Sequence, residues 1–378
     1  MTYTTVILSE LLSETKKNIY CFGAGQIFAD FVNEFKTYNL EDNIKAVVDN
    51  NSNIVNFSVK TVCDVNIPII SFEEMIGSIK KDDKILITTV AYEEIIEQIK
   101  KTKKIDNILY YIYPILRIEQ YDYDRLNIPF PQRLTSCENI QIPKTIHYCW
   151  FGNKEMPSQY KKWMESWRKY CSDYKIIEWN EKNYDVHKSK YISQAYEMKQ
   201  WAFVSDYARI DIINQYGGVY LDVDVELKKN IDEMLMNDAF CGFESNEYVN
   251  FGLGFGAKKN NSIIGEIKEY YDNTSFIQSD GRLNRTSCPL IQTEIMKSHG
   301  LQCNGKFQIV DGMAVYPSRI LCGMSPHSFR VERNLEHTYA IHHFEGSWVE
   351  DKSEKNMLIS AMKKWSRDDN YIYPNSLN

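Results

Sequence analysis

A chain of 378 residues is long enough for two or three domains, each with its own core. A net charge of −7 and a pI near 5.6 argue against a protein that holds nucleic acid through bulk positive charge. No stretch is both long and apolar enough to span a bilayer.

The opening residues, Met1 to Lys17, lack the basic-then-apolar order of a secretory leader. The nine cysteines are an odd, scattered set without a Cys-x-x-Cys pair, and read as reduced, mostly buried thiols. Both features lead to the expectation of a cytoplasmic protein.

Residues 1–118 alternate strand and helix. Asn18 to Phe22 is a short apolar strand, and Gly23-Ala24-Gly25 opens a helix carrying Ile27, Phe28, Phe31, Val32 and Phe35. A strand over Ile44 to Val48 ends at Asp49, and Ser71-Phe72-Glu73-Glu74 is a capping box that starts a helix after Pro68-Ile69-Ile70. Strands over Lys84 to Thr89 and Asn107 to Ile112 flank a helix from Tyr92 to Lys101. This alternation predicts a small parallel, Rossmann-like sheet. Gly23-x-Gly25, with Asp49 about 20 residues on, is part of a dinucleotide fingerprint. Phe28 stands where its third glycine belongs, so the turn is open between a nucleotide contact and plain packing of helix on sheet. The basic run at Lys100, Lys101, Lys103 and Lys104 reads as a solvated helix end. Residues 119–138, with Pro129 and Pro131 and little periodicity, read as a linker.

The second domain is expected over 139–350, followed by a charged tail, 351–378, with a short helix at Met357 to Trp365. Ile142-Pro143-Lys144 leads into an alternating strand from Thr145 to Gly152. Trp150, at its edge, is either a platform for a base or a core side chain. Pro157 starts a helix through Trp163 and Trp167 that carries Lys161, Lys162, Arg168 and Lys169. That basic stripe is open between a membrane surface and an ordinary solvated face. Tyr174 to Asn180 is the next strand.

The run Ala202 to Gln215 then reads as a helix, with Phe203, Tyr207, Ile210 and Asn214 on one stripe and Asp206 and Arg209 on another. Gly217-Gly218 ends it. Val219 to Val225 reads as one buried strand, from which Tyr220, Asp222 and Asp224 project to the same face by alternation. Neighbouring carboxylates repel unless a cation lies between them. Hard oxygen ligands at this spacing suit Mg²⁺ or Mn²⁺ shared with a diphosphate. The rival reading is a half-exposed strand with an acidic face. Further on, Ala239 to Glu244 is a strand, and Asn250 to Ala257 is dense in glycine, which permits close approach to a sugar.

The ordered set Ala202-x-x-Ser205-Asp206-x-x-Arg209, then Gly217-Gly218-Val219-Tyr220-Leu221-Asp222-Val223-Asp224, resembles the core signature of glycosyltransferase family 32. These DXD sugar transferases include bacterial capsular-polysaccharide transferases and yeast mannosyltransferases, and are related to the clostridial glucosylating toxins. The likeness covers roughly residues 140–350, dense at 201–225 and patchy after 245. It implies an α/β fold with a GT-A-type transferase domain behind the Rossmann-like module. It also implies transfer, with retention, from a UDP-linked sugar to a saccharide or lipid-linked oligosaccharide acceptor in surface-polysaccharide assembly. By the same resemblance Asp222, Asp224 and His343 hold Mn²⁺ or Mg²⁺, and Ser347 and Trp348 contact the phosphates. Trp150 stacks on the base, Asp206 and Arg209 grip sugar hydroxyls, Ser205 is a donor contact, and Tyr220 serves the ribose or diphosphate. Asn180 and Asn250 are further donor contacts. Thr286-Ser287-Cys288-Pro289 departs from the Thr-Gly-Pro of relatives. Nucleic acid is not an expected partner, and membrane contact is at most peripheral. Two other classes stay open: a metal-dependent phosphoryl transferase, and a sugar-nucleotide-binding protein without turnover.

Overall fold

Short apolar runs bounded by glycine or charge become strands buried on both faces, and amphipathic runs become the helices that cover them. The computed structural model describes residues 8–13, 16, 18–34, 42–61, 65–105, 108–135, 138–346, 352–366 and 371–372. They divide into two units, Met1–Tyr123 with Asn356–Asp368, and Asp124–Lys355 with Asp369–Asn378.

The first unit runs α1 (Leu8–Ser13), β1 (Ile19–Phe22), α2 (Gln26–Glu34), β2 (Ile44–Val48), β3 (Ser58–Lys60), β4 (Asn66–Ile70), α3 (Phe72–Ser78), β5 (Lys84–Ile87), α4 (Tyr92–Lys100), β6 (Leu109–Ile112) and into α5 (Tyr113–Leu126). Its sheet has the order β3-β4-β2-β1-β5-β6. Every pairing is parallel except that of the edge strand β3. The Ser71 capping box forms as expected, with Glu74 reaching back to the Ser71 N–H at 2.7 Å. At the Gly23 turn, Asp49 accepts the Ala24 N–H at 2.8 Å and the Asn51 N–H at 2.9 Å. The acidic residue of the partial fingerprint thus braces the turn itself. Phe35 lies outside the described residues. Residues 119–126, expected as the start of a linker, instead continue α5. Their buried side chains include Glu119, Gln120, Asp122 and Arg125, polar groups that hide the helix from a search for apolar periodicity.

The second unit contains β7 (Thr145–Cys149), α6 (Ser158–Tyr170), β8 (Lys175–Trp179), α7 (Lys190–Glu197), α8 (Trp201–Tyr216), β9 (Gly218–Tyr220), β10 (Val225–Leu227), β11 (Ala239–Gly242), β12 (Phe255–Ala257), α9 (Ser262–Asp272), α10 (Cys288–Ser298), β13 (Gln308–Val310), β14 (Met313–Tyr316), α11 (Ser318–Leu321), β15 (Val331–Glu332) and β16 (Ala340–His342). Two elements complete the chain: α12 (Ser353–Trp365), longer than the helix expected there, and β17 (Tyr371–Ile372), which pairs with β15. The end of α12 packs in the first unit, where Glu93 takes Lys364 at 2.7 Å and the Trp365 indole at 3.1 Å. Seven strands of the second unit form a mixed sheet, β13-β14-β11-β12-β9-β7-β8. Alternation along the strands builds two apolar layers. Tyr220, Ala239, Cys241, Met313 and Val315 pack on one face under α7 to α10. Val219, Phe240, Ala314 and Tyr316 pack on the other with Trp167 of α6 and Leu321 of α11. Among the described residues no helix is long and apolar enough to cross a membrane.

The join between α8 and β9 needs its two glycines. Gly217 and Gly218 both have positive φ, and a Cβ on Gly218 would lie 2.8 Å from the Thr145 carbonyl and 2.9 Å from His147 Nε2. His147, from β7, holds this turn. The Trp179 indole donates to its Nδ1 at 3.0 Å, so its Nε2 carries the hydrogen, donated to the Gly217 carbonyl at 3.0 Å. Burial depresses the imidazole pKa to about 4; the Gly217 carbonyl opposes this and the Lys175 charge adds to it. The unfolded chain takes up this proton near pH 6.5 and the folded one only near 4, so the unfolded state binds more protons between them. Stability is therefore full above pH 6.5 and falls through that window. Wild type is expected to lose about 3 kcal/mol more than His147→Gln between pH 7 and 4, read from urea unfolding at each pH.

Candidate active site

Strand β9 stops at Tyr220, short of the aspartates. Leu221 still donates its N–H to the His147 carbonyl, and the Asp222 carbonyl then accepts the Val225 N–H at 3.0 Å, closing a tight turn. The chain leaves the large sheet as β10, which pairs antiparallel with β16. Asp222 and Asp224 thus meet across a turn between two sheets and not by alternation along one strand, which corrects the sequence expectation. A bend is required because Tyr220 belongs to the buried face of the large sheet while the carboxylates need an open side.

Helix α8 brings Arg209 to this turn. Its guanidinium is 3.0 Å from Asp206 Oδ1, 3.4 Å from Asp222 Oδ2 and 5.2 Å above the Tyr220 ring. The Tyr220 hydroxyl donates to Asp222 Oδ1 at 3.1 Å. Burial pushes the Asp206 and Asp222 carboxyls up; Arg209 pulls both back, and Asp224 adds to the rise at Asp222. Burial disfavours the Arg209 cation, yet Asp222, Tyr220 and Asp206 together hold its pKa well above the ordinary value.

The histidine that joins the aspartates is His342, one residue before the one expected. Asp222, Asp224 and His342 each present a ligand atom within 4.8 Å of the others, and His342 Nε2 is 3.3 Å from Asp224 Oδ1. His343 serves another partner: its Nε2 is 3.1 Å from Glu226, and its ring stacks on Trp163 at 4.0 Å. Burial would raise the Glu226 pKa, but hydrogen bonds with His343 and Lys228 hold it below the usual carboxylate range. Adjacent residues on a strand face opposite ways, so one histidine of the pair turns to the aspartates and the other to Glu226. The residues fit a divalent cation. Two oxygen donors and an imidazole converge, and His342 Nδ1 is buried without a hydrogen-bond partner among the described residues.

Asn250 also belongs to this centre, through Gly252. A Cβ on Gly252 would lie 2.7 Å from Asp222 Oδ2, 2.9 Å from Asn250 Oδ1 and 3.0 Å from Arg209 Nη1. The glycine density read as room for a sugar is, at this position, room for the protein's own carboxylate and guanidinium. Gly252→Ala is expected to weaken Mn²⁺ binding by calorimetry on the order of tenfold and to cost about 1–3 kcal/mol of stability. Cys288, where the sequence departs from its relatives, hydrogen-bonds Asp206; burial and that carboxylate push its thiol up.

Two other expected donor contacts, Trp150 and Asn180, bond local partners. Trp150 and Asn180 follow β7 and β8 side by side, with the Trp150 N–H on the Trp179 carbonyl at 2.9 Å. The Trp150 indole bonds the Lys154 carbonyl, and the Asn180 amide bonds Glu178 and the Lys182 N–H. Ser205 lies one turn before Arg209, whose Nε donates to its carbonyl at 3.2 Å. Ser347 and Trp348 lie outside the described residues.

Residues 157–241 match the family model described as the glycosyltransferase sugar-binding region containing the DXD motif. An uncharacterized glycosyltransferase of Acanthamoeba polyphaga mimivirus is 25% identical over 190 residues, 47% of this chain and 74% of that one. Inositol phosphoceramide mannosyltransferases 3 and 1 of Schizosaccharomyces pombe are 29% and 28% identical over 30% and 27% of this chain. The chain spans only about a third of the length of each, 34%. Among solved structures, the PaToxG glycosyltransferase is similar over 49% of this chain and 76% of its own, at 15% identity and a TM-score of 0.33. The matched region and the named relatives make this protein a transferase enzyme of the glycosyltransferase class. The matched region includes helix α8 and the acidic turn just described.

Proposed function

We propose that the protein is a divalent-cation-dependent glycosyltransferase that moves a sugar from a UDP-linked donor to a saccharide or lipid-linked oligosaccharide acceptor in surface-polysaccharide assembly. The observation that carries this reading is the convergence of Asp222, Asp224 and His342 with the Asp206–Arg209 pair and Tyr220. Mn²⁺ or Mg²⁺ held by the first three supplies positive charge beside a departing nucleotide diphosphate. The chain's own residues do the positioning. Arg209, fixed between two carboxylates and a ring, offers a preorganised cation where negative charge develops. Asp206 and Ser205 serve sugar hydroxyls, Tyr220 the ribose or diphosphate, and Asn250 the reaction centre. Trp150 and Asn180 take the base end, and Ser347 and Trp348 the phosphates.

The mixed seven-stranded sheet ending in an acidic turn supports a GT-A-type domain. The parallel order β4-β2-β1-β5-β6 of the first unit supports a Rossmann-like module. The resemblance to family 32 adds retention by front-face attack, the acceptor hydroxyl passing its proton to the donor phosphate. The scattered, mostly buried cysteines support a cytoplasmic setting, with at most a peripheral membrane contact through the exposed lysines of α6. Two relatives have mannosyltransferase in their names, so the donor panel extends beyond UDP-sugars. The test is Mn²⁺-dependent hydrolysis across UDP- and GDP-sugars, which needs no acceptor. Release of nucleotide from one of them supports the reading; no release from any, together with no binding by calorimetry, ends it.

A further inference from the structure

Glu244, just beyond the end of β11, lies one carboxamide away from the acidic centre. The link is Asn250, 8% exposed. Its Oδ1 accepts the Gly252 N–H at 2.7 Å, so its Nδ2 faces the other way and donates to Glu244 Oε2. With a backbone donor at one end and a carboxylate at the other, the amide has a single satisfactory orientation. Asn250 Oδ1, Asp222 Oδ2 and Arg209 Nη1 all crowd the space where a Gly252 Cβ would be. Asn250 is therefore spent on holding the centre together, and Glu244 is the next polar group outward. It is half-buried, anchored through Oε2 alone, and its Oε1 has no hydrogen bond among the described residues.

We infer that Glu244 is a ligand of the transferred sugar: its open oxygen accepts a hydroxyl of the hexosyl group, and Asn250 is the positioning residue that aims it. This rests on the glycosyltransferase reading above. A sugar hydroxyl donates well to a carboxylate, and such charge-assisted bonds are the strong ones. Asp206 and Arg209 would grip the sugar from the α8 side and Glu244 from the β11 side. The preference among hexoses then follows from which hydroxyls reach both.

The full-length protein, with Mn²⁺, is titrated calorimetrically with UDP and with the UDP-sugar that wild type hydrolyses fastest. Glu244→Gln keeps an oxygen for Asn250 but turns an amide N–H toward the sugar; Glu244→Ala removes both. In each variant UDP affinity is expected to stay within about twofold, while affinity for the UDP-sugar and its hydrolysis fall about tenfold or more. Asn250→Asp, which sets a second carboxylate against Glu244, should also lower affinity for the UDP-sugar and its hydrolysis. Equal weakening of UDP and UDP-sugar would mean general damage and overturn the inference. So would unchanged donor binding and hydrolysis with loss of transfer only, which would assign Glu244 to the acceptor. If wild type binds no sugar nucleotide in the presence of Mn²⁺, it is the glycosyltransferase reading that fails, and with it the role of Glu244.

Discussion

Asp224→Asn is expected to abolish Mn²⁺-dependent donor hydrolysis and sugar transfer, a loss on the order of a hundredfold or more, in a protein that stays folded. The geometry explains why function and fold separate here. The Asp224 side chain does two jobs: Oδ2 accepts the Glu345 N–H at 3.0 Å, and Oδ1 faces His342 at 3.3 Å. An asparagine oxygen retains the first contact, and its backbone carbonyl still takes the His343 N–H. What disappears is a negative charge that a dication needs. Without metal, that charge sits beside Asp222 and raises its pKa, so removing it relieves repulsion and does not cost stability. The variant should therefore melt at or slightly above the wild-type temperature. Mn²⁺ should raise the wild-type Tm, by roughly 2.7 kcal/mol of stabilisation at a hundred times Kd, and leave the variant unmoved. Full activity in the variant, or an equal metal-induced shift, would remove Asp224 from the cation site.

Glu332→Gln is expected to destabilise the second unit by about 3–5 kcal/mol without touching the acidic turn. Glu332 is 1% exposed and stands between two guanidiniums: Arg125 at 2.8 Å and Arg319 at 2.8 Å. Arg125 is itself buried and also donates to Ser318 Oγ at 2.9 Å and to the Cys322 carbonyl. Arg319 donates to the Leu126 carbonyl and lies over the Phe130 ring. These neighbours take N–H groups but carry no charge. Neutralising this carboxylate takes a charged partner from two cations in a place water reaches poorly, and their desolvation is then less well compensated. Thermal unfolding should show a fall of roughly ten degrees, at about 2–4 °C per kcal/mol for a unit of this size. A change under about 1 kcal/mol, the usual worth of an exposed pair, would mean that solvent screens the cluster.

These two clusters differ in how far they could be read in advance. The acidic pair is local. Asp206, Arg209, Tyr220, Asp222 and Asp224 lie within nineteen residues, on a helix, a glycine turn and a strand start whose spacing is visible in the letters. The Arg125–Glu332–Arg319 group joins positions about two hundred residues apart and leaves no periodic trace, so nothing in the sequence points to it. The same polar burial hid the second half of α5, which read as linker.

The sequence by itself determined the alternation of strands and helices, the glycine pair that ends α8, and the supply of acids, arginine and aromatic at one place, because each depends on neighbours along the chain. Tertiary structure alone decided that the aspartates meet across a turn and that His342 stands with them while His343 goes to Glu226. It alone decided that Gly252 is small to admit Asp222, and that Asn250 turns toward Glu244. Each of those outcomes depends on strand register and on packing between segments distant in sequence. A shift of one residue reverses which side chain faces the site, and composition and spacing are blind to that shift.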